Sequence, residues 1–362
     1  AYIMAMLISK YWNPTNLLSI WSRVRASNFP KPLSPLFPYK RTVEDKIKSI
    51  KGYKNSNVIL NVCDPDSKAT IRGSRKLTIQ EYEIPEFREG IILYNSEVRE
   101  ISRYIEDYGA SPESLAVLDQ KYREYLELMN GIATNAEFFR AQLLQYAKFQ
   151  FRNRVDDGTF AMVEANFDVD REWETHNVVQ GAANLTDPAS DALADINNLI
   201  DQFYIQNDGE VMGTLIMNTY TWNLLKRNDK LGEWLFNMRR VDPRDYFSTL
   251  GVNIMIDNTS FQTQLADTTP KQKYIEDGNI CIVPNQRLGH IVCSESDLFR
   301  DMLRNKSQRP DIGYDDETGA VVRCVEYSDP DKIKTTIEAH IFPAFDTGMM
   351  EKCCVLRGKL NA

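Results

Sequence analysis

The sequence predicts an α+β fold, and two observations carry that prediction. A single amphipathic segment runs from Pro112 to about Lys148 without a second proline. Around it, strand-like runs joined by hairpin signals are interspersed with shorter helical patterns, with no regular βαβ succession, no internal repeat and no low-complexity tract. In the long segment, Leu115, Leu118, Tyr122, Tyr125, Met129, Ile132, Ala136, Phe139, Leu143 and Tyr146 recur at steps of three and four, which places them on one helical face. Ser111 suits the N-cap, Pro112 the first helical position, and Glu113 the positive end of the helix dipole. Such a helix is roughly 55 Å long, as long as the ~55 Å diameter of a compact globule of this chain length, and predicts a flat, extended subunit. A coiled-coil seam or a bundle helix shows the same period. Gly131 is its weak point, where a bend is cheapest.

The other elements follow in chain order. Residues 1–8 are apolar, but Lys10 ends the run far short of the ~20 residues of a membrane span. No basic leader or cleavage site is evident, so no membrane association is expected. Residues 14–29 read as a short amphipathic helix with Leu17, Ile20, Trp21 and Val24 on one side. An arm carrying Tyr2, Ile3, Met6, Trp12 and Trp21 ahead of any evident domain needs a partner surface. Pro30, Pro32, Pro35 and Pro38 predict a stiff, extended connector. Strand-like residues 42–47 and 58–62 lead to a polar stretch, basic at its tip (Lys68, Arg72, Gly73, Arg75, Lys76), before residues 77–84 run extended again. This reads as a long projecting β-hairpin, although a solvated loop has the same composition.

After the long helix, residues 149–155, the turn Asp156-Asp157-Gly158 and residues 159–169 predict a hairpin. Asp187-Pro188 is expected to open a helix to about Gln206 that buries Leu193, Ile196, Leu199, Ile200 and Phe203. A strand over 214–217 passes through Asn218 into a short helix ending near Arg227. Strands are expected over 252–256, 280–283, 290–294, 320–327, 334–342 and 352–357, with a helix over 295–304.

At 362 residues, 43% hydrophobic and 26% charged, the chain is an ordinary folded protein with a large core. Its 43 Lys and Arg against 51 Asp and Glu give a net charge of −8, which argues against binding nucleic acid by bulk phosphate neutralisation. The six cysteines, at 63, 281, 293, 324, 353 and 354, have no Cys-x-x-Cys spacing and read as reduced, mostly buried thiols. No phosphate-binding loop, nucleophile elbow or His-Glu-x-x-His motif occurs, and His176, His290 and His340 are widely separated. Neither a catalytic constellation nor a cofactor is therefore expected. Asp168, Asp170, Glu172, Glu174 and His176 alternate, and on a strand they share one face. Same-face neighbours sit roughly 6.6 Å apart, too far to share a hard cation at about 2.6 Å. An acidic face for a basic partner is the better expectation.

The second half carries a resemblance. The string from Leu185 to Ile196 (LTDPASDALADI), then Val211-Met212-Gly213, Trp222-Asn223-Leu224-Leu225 with Asn228, Gly251-Val252-Asn253-Ile254, and Ile280-Cys281-Ile282-Val283-Pro284 with Leu288-Gly289 occur in this order. They resemble the axial domain of phage lambda-type major head proteins, the protein E family. Residues 330–343 and the final strand are similar to that family's closing elements.

The resemblance implies a Hong Kong 97-type phage capsid fold. Its parts would be an N-terminal arm (1–40), peripheral-domain strands with an extended E-loop hairpin (41–110, loop about 62–84), and a long spine helix with a peripheral hairpin (111–185). An axial domain (186–325), a peripheral return strand (326–345) and a C-terminal axial strand (346–362) would complete it. It implies a non-catalytic major capsid protein of a tailed phage, forming pentamers and hexamers of an icosahedral shell around double-stranded DNA, without sequence-specific binding. The virion is then its location, and scaffolding, portal and decoration proteins its further partners. On this reading Lys68, Arg72, Arg75 and Lys76 of the E-loop and Trp12 and Trp21 of the arm contact neighbouring subunits. Asp168, Asp170, Glu172 and Glu174 form an acidic inter-subunit or genome-facing strand, and Gly131 is the spine hinge. An encapsulin-type shell protein or an unrecognised α+β enzyme are the alternatives.

Overall fold

The computed structural model describes residues 12–28, 31–51, 78–94, 96–98, 112–154, 160–209, 212–262, 270–304, 310–328 and 331–360. Helix α1 (Pro14–Asn28) starts where the Asn13 side chain accepts the Asn16 N–H at 2.9 Å, with proline at its first position. Leu17 and Trp21, one turn apart, are buried. The proline-rich connector is not extended. Residues 32–37 fold into successive turns, with the Ser34 and Leu36 N–H groups donating back to Lys31 and Leu33, and Leu33 and Phe37 fully buried. Proline fixes φ near −65°, which suits turns as well as extended chain.

Strands β1 (Tyr39–Thr42), β2 (Lys46–Lys51), β3 (Thr78–Glu83) and β4 (Glu86–Leu93) follow, with β2 and β3 antiparallel from Lys46↔Glu83 to Lys51↔Thr78. Helix α2 (Pro112–Tyr146) is the long helix, unbroken at Gly131 and about 52 Å long. Of its predicted stripe, Tyr125, Met129, Ile132, Ala136, Phe139 and Leu143 are buried. The helix ends because Ala147 adopts φ 51°. A left-handed alanine costs roughly 1–2 kcal/mol, and a glycine there would instead forfeit about 0.8 kcal/mol of buried methyl. The two terms nearly cancel, so alanine is tolerated at this fully buried C-cap.

The chain then forms the hairpin β5 (Lys148–Arg154) and β6 (Phe160–Asn166), helix α3 (Glu172–Asn177), β7 (Val178–Asn184) and α4 (Ala192–Gln206). Helix α4 buries the five predicted side chains but starts later than expected. Asp187 forms a turn, its side chain accepting the Ala189 N–H at 3.0 Å, and Asp191 caps the helix. Strand β8 (Gly213–Asn218) leads through the Asn218 cap into α5 (Thr219–Lys226), as expected. Helices α6 (Asp229–Asn237) and α7 (Arg244–Thr249) were not anticipated, nor were β4 and β7. Next come β9 (Val252–Asp257), β10 (Ser260–Phe261), β11 (Gln272–Lys273), β12 (Asn279–Pro284), β13 (Gly289–Ser294) and α8 (Asp297–Arg304). Strands β14 (Ile312–Tyr314), β15 (Val321–Ser328), β16 (Asp331–Phe345) and β17 (Cys354–Lys359) close the fold, which is mixed α+β as predicted.

Two sheets organise the molecule. One has the order β1-β13-β16-β15-β14, with β4 also paired to β16, and α2 packs against it. The other has the order β7-β17-β12-β8-β9. This second sheet is a wall between two cores, since alternate residues point to opposite faces. Ile216, Cys281, Val283, Cys353 and Val355 face the core shared with α2, whereas Leu215, Met217, Ile280, Ile282, Cys354 and Leu356 face the core under α4 to α7. Cys281, Cys293, Cys353 and Cys354 are buried and in no disulfide, and burial pushes the Cys281 and Cys293 thiols up to about 12.

Glu137 and Arg140 are both fully buried on α2 and pair at 2.9 Å. Glu137 also accepts the Leu33 N–H at 2.7 Å, and Arg140 donates Nε and Nη2 to the Phe37 carbonyl at 3.1 and 2.9 Å. Burial pushes the Glu137 carboxyl up, and Arg140 and the Leu33 N–H draw it back. Lys31 donates to Thr134 Oγ1 at 3.1 Å above the Tyr274 ring. Burial pulls its ammonium down to about 8, opposed by Glu137 and Asp257 and reinforced by Arg140.

Glu137→Gln should leave Arg140 buried without a counter-charge and destabilise the fold by about 3–5 kcal/mol. Urea titration checks this, and replacing both residues by methionine should cost less than the sum of the single changes. Lys31 gives a pH signature. Between its folded value of about 8 and the ordinary 10.5, the unfolded chain binds more protons, so its contribution to stability rises with pH across that window. The difference in melting temperature between wild type and Lys31→Met should therefore shift towards wild type between pH 7.5 and 10, and a pH-independent difference would refute the assignment.

Candidate interaction surfaces

A cleft of about 220 Å³ is lined by Arg88, Leu298, Arg323, Val325, Lys334 and Thr336, without a carboxylate, histidine or thiol. Beside it, across the β4–β16 register, Arg88 reaches Glu338 at 2.6 and 3.1 Å and Glu86 at 2.6 Å, and His340 Nε2 lies 3.4 Å from Glu338. The ligand atoms of Glu86, Glu338 and His340 lie within 4.8 Å of one another, but the arginine already supplies their positive charge. Burial opposes the Glu338 carboxylate, yet hydrogen bonds from His340 and Arg88 hold it below the usual range. This is a cross-strand ion network that ties β4 to β16.

Of the predicted contact residues, Trp12 and Trp21 are corrected outright. Both are buried against their own chain. Trp12 donates Nε1 to Thr335 Oγ1 at 2.8 Å and packs on Tyr122 and Tyr125 at ring distances of 5.2 and 6.4 Å. Trp12 is covered by α2 and β16, and α1, which carries Trp21, packs on α2, β14 and β15, so neither indole asks for a neighbour. Lys68, Arg72, Arg75 and Lys76 lie outside the described residues, between the paired strands β2 and β3 that would carry them. On α2, Asp119 pairs with Arg123 at 2.7 Å and Glu124 with Lys121 at 2.8 Å.

The acidic strand is also corrected. Residues 168–174 turn into α3 and share no strand face. Asp168 is buried and accepts the N–H groups of Trp173 at 2.9 Å and Glu174 at 2.8 Å, so it satisfies the helix start. Arg171 takes the left-handed conformation that makes the turn (φ 58°). Trp173, pulled inward, donates to the Cys353 carbonyl at 3.0 Å. Alternation predicted a strand, but a short carboxylate before two backbone donors nucleated a helix instead. Glu174 pairs with Arg357 at 3.4 Å, leaving Glu172 and Asp170 exposed. Gly131 sits inside the continuous helix, and a methyl group there would meet nothing within 4 Å.

A further exposed apolar surface, not expected from the sequence, lies where α6 passes to α7. Phe236, Met238 and Val241 are 84%, 58% and 93% exposed, flanked by exposed Arg239, Arg240 and Arg244. The available signal was an Arg-Arg pair among large apolar residues ahead of Asp242-Pro243.

Solved structures identify the class that this fold defines. The chain aligns over 96% of its length with 99% of a prophage protein from Escherichia coli CFT073 assigned as its capsid protein, at 12% identity and a TM-score of 0.55. It aligns over 92% with 95% of a chain of the cyanophage A-1(L) capsid at 11% and 0.53, and over 94% with 96% of a phage-related protein from Bordetella bronchiseptica RB50 at 11% and 0.52. The fold is that of capsid-type structural proteins. No curated protein matches the sequence significantly. The model of the phage major capsid protein E family matches residues 27–301, and the chain belongs to that family. It is a structural protein, not an enzyme.

Asp168→Ala should leave two helix donors without their acceptor and destabilise the fold by about 2 kcal/mol. Thermal melting measures this, and a loss below a few tenths would return Asp168 to the surface.

Proposed function

We propose that copies of this chain assemble into pentamers and hexamers, and these into the closed icosahedral shell of a tailed-phage virion of the Hong Kong 97 type. The shell encloses double-stranded DNA without reading its sequence. The observation that carries the reading is the family match over residues 27–301 together with a capsid-type fold across nearly the whole chain. In this reading α2 is the spine helix and β2–β3 are the base of the E-loop hairpin. The five-stranded sheet with α4 to α7 is the axial domain, drawn from 186–325 and 346–362 together with β7 from just before them. The sheet of β1, β13, β16, β15, β14 and β4, with the β5–β6 hairpin, is the peripheral domain, so it takes β13, β14 and most of β15 from within the expected 186–325. The net charge of −8 fits a wall that surrounds DNA rather than gripping it. Shell closure reuses one set of contacts many times, so weak individual contacts suffice. Scaffolding, portal and decoration proteins complete the assembly, which takes place in the bacterial cytoplasm.

Negative-stain microscopy and sedimentation of the expressed protein test this. Angular shells, rings or tubes are expected, and a protein that stays monomeric at every concentration and salt would overturn the reading. Gly131 supplies a second readout. With open space for a methyl group, Gly131→Ala should stabilise the subunit by about 1 kcal/mol. If this position is the spine hinge, the same change impairs shell expansion, whereas expansion at the wild-type rate would leave Gly131 as an ordinary helix residue.

A further inference from the structure

Charge is segregated along the part of the chain that builds α3 to α7. Between Glu172 and Leu225 there are eight acidic residues and no lysine or arginine. From Lys226 to Arg244 there are six basic residues and three acidic ones. The basic stretch ends in the exposed corner at 236–244. Among the described residues Arg240 pairs with Asp245 at 3.7 Å, while Lys226, Arg227, Lys230, Arg239 and Arg244 are exposed and make no ion pair.

The corner is held rigidly. Arg239 ends α6 at φ 52°, with the Met238 and Arg240 N–H groups donating to the Trp234 and Leu235 carbonyls at 2.9 Å each. Asp242 fixes the start of α7 by accepting the Arg244 N–H at 2.9 Å. Trp234 beneath it packs edge-on against Tyr246 at 5.1 Å. A left-handed arginine is strained where glycine would not be. The hydrogen bonds of the turn hold its backbone with Phe236, Met238 and Val241 facing outward, so little ordering remains to be done on contact.

The complementary surface is the C-terminal end of α4. Asp201, Ile205 and Asp208 are exposed there, Ile205 by 66%. Exposed Glu172 joins them from α3, which Gln202 and Gln206 tie to α4 through the His176 carbonyl. The corner belongs to the other end of this helix. Asn228 donates to the Pro188 and Ser190 carbonyls at 3.2 and 2.7 Å, and Tyr246 to Asn197 Oδ1 at 3.0 Å. Asn197 and Asp208 are roughly 15 Å apart along the helix. An apolar, basic corner and an apolar, acidic patch thus occupy different ends of one structural unit.

Resting on the shell-forming reading, we propose that the corner of one copy (Phe236, Met238, Arg239, Arg240, Val241) seats on the Asp201–Ile205–Asp208 patch of the next. The contact is head to tail, and such a contact generates a ring when its rotation closes. The occupant is a second copy because the same chain carries both charges, each exposed and each beside an uncovered apolar side chain.

Charge exchange tests this. Arg239→Glu/Arg240→Glu should melt close to wild type and Asp201→Arg/Asp208→Arg slightly below it. All four sites are exposed, but Asp208 is left-handed (φ 54°), where aspartate is tolerated better than arginine. Each double variant alone should lose rings and shells. The chain carrying all four changes should regain them. Mixing the two double variants should restore even-membered rings but not pentamers, because only an even ring can alternate, and added salt should weaken the rescue. If wild type assembles and both double variants assemble equally well, the contact is refuted and the shell reading stands. If wild type never assembles, both fall. Assembly loss without rescue in the fourfold variant would also refute the pairing.

Discussion

Burying Glu137 and Arg140 one turn apart on α2 obliges every polar atom of the pair to find a partner away from water. The carboxylate takes the Leu33 N–H, and the guanidinium takes the Phe37 carbonyl. Both are backbone groups of the turns after α1, so the pair fixes where that segment crosses the long helix. Leu33 and Phe37 then fill the core on either side, and Tyr39, under Arg140 at 5.1 Å, delivers β1 to β13. A buried pair is weak evidence for stability, since hydrophobic residues of equal volume often do as well. Here it supplies register. A plain apolar seam would let the incoming chain slide along α2, whereas two charges with directional partners do not.

The other polar contacts near α2 follow the same logic. Gln145 donates to the Ala141 and Tyr274 carbonyls at 3.0 Å each and accepts from the Glu276 N–H and the Asn279 side chain. It joins the end of the long helix to the start of β12. Asn218 caps α5 while donating to the Ile275 carbonyl at 2.9 Å. Each of these side chains satisfies one element and ties it to another, so the two cores are joined by hydrogen bonds as well as by the sheet between them.

Elements governed by a single periodicity were legible in the sequence. The α2 stripe, the buried face of α4, the passage from β8 through Asn218 into α5, and the strands around Ile280, His290 and Ala320 all depend on apolar spacing plus one cap. Elements decided by a local polar contact were not. Asp168 overrode an alternating pattern because its carboxylate reached two free backbone donors. The tryptophans of the arm looked like a surface in search of a neighbour, because nothing in the spacing reveals that Thr335, over three hundred residues away, accepts the Trp12 indole. Glu137 and Arg140 were overlooked although they interrupt the apolar run Ala136-Glu137-Phe138-Phe139-Arg140-Ala141 at helical spacing. Charges placed there are either exposed by a bend or buried as a pair. The charge asymmetry between 172–225 and 226–244 was equally visible but acquires meaning only when both stretches fall in one structural unit.

The wall formed by the five-stranded sheet bears on how such chains diverge. Its middle strand, Asn279–Pro284, is buried at every position, and successive residues answer to different cores. No position there drifts freely, yet none is bound to a particular side chain, since close packing tolerates exchange among apolar residues when volume is kept. A fold therefore persists in the pattern of sizes rather than in the letters. Solved chains only 11–12% identical share this fold over more than nine-tenths of its length, while the outward corners, held to no such rule, are free to vary in shape and charge.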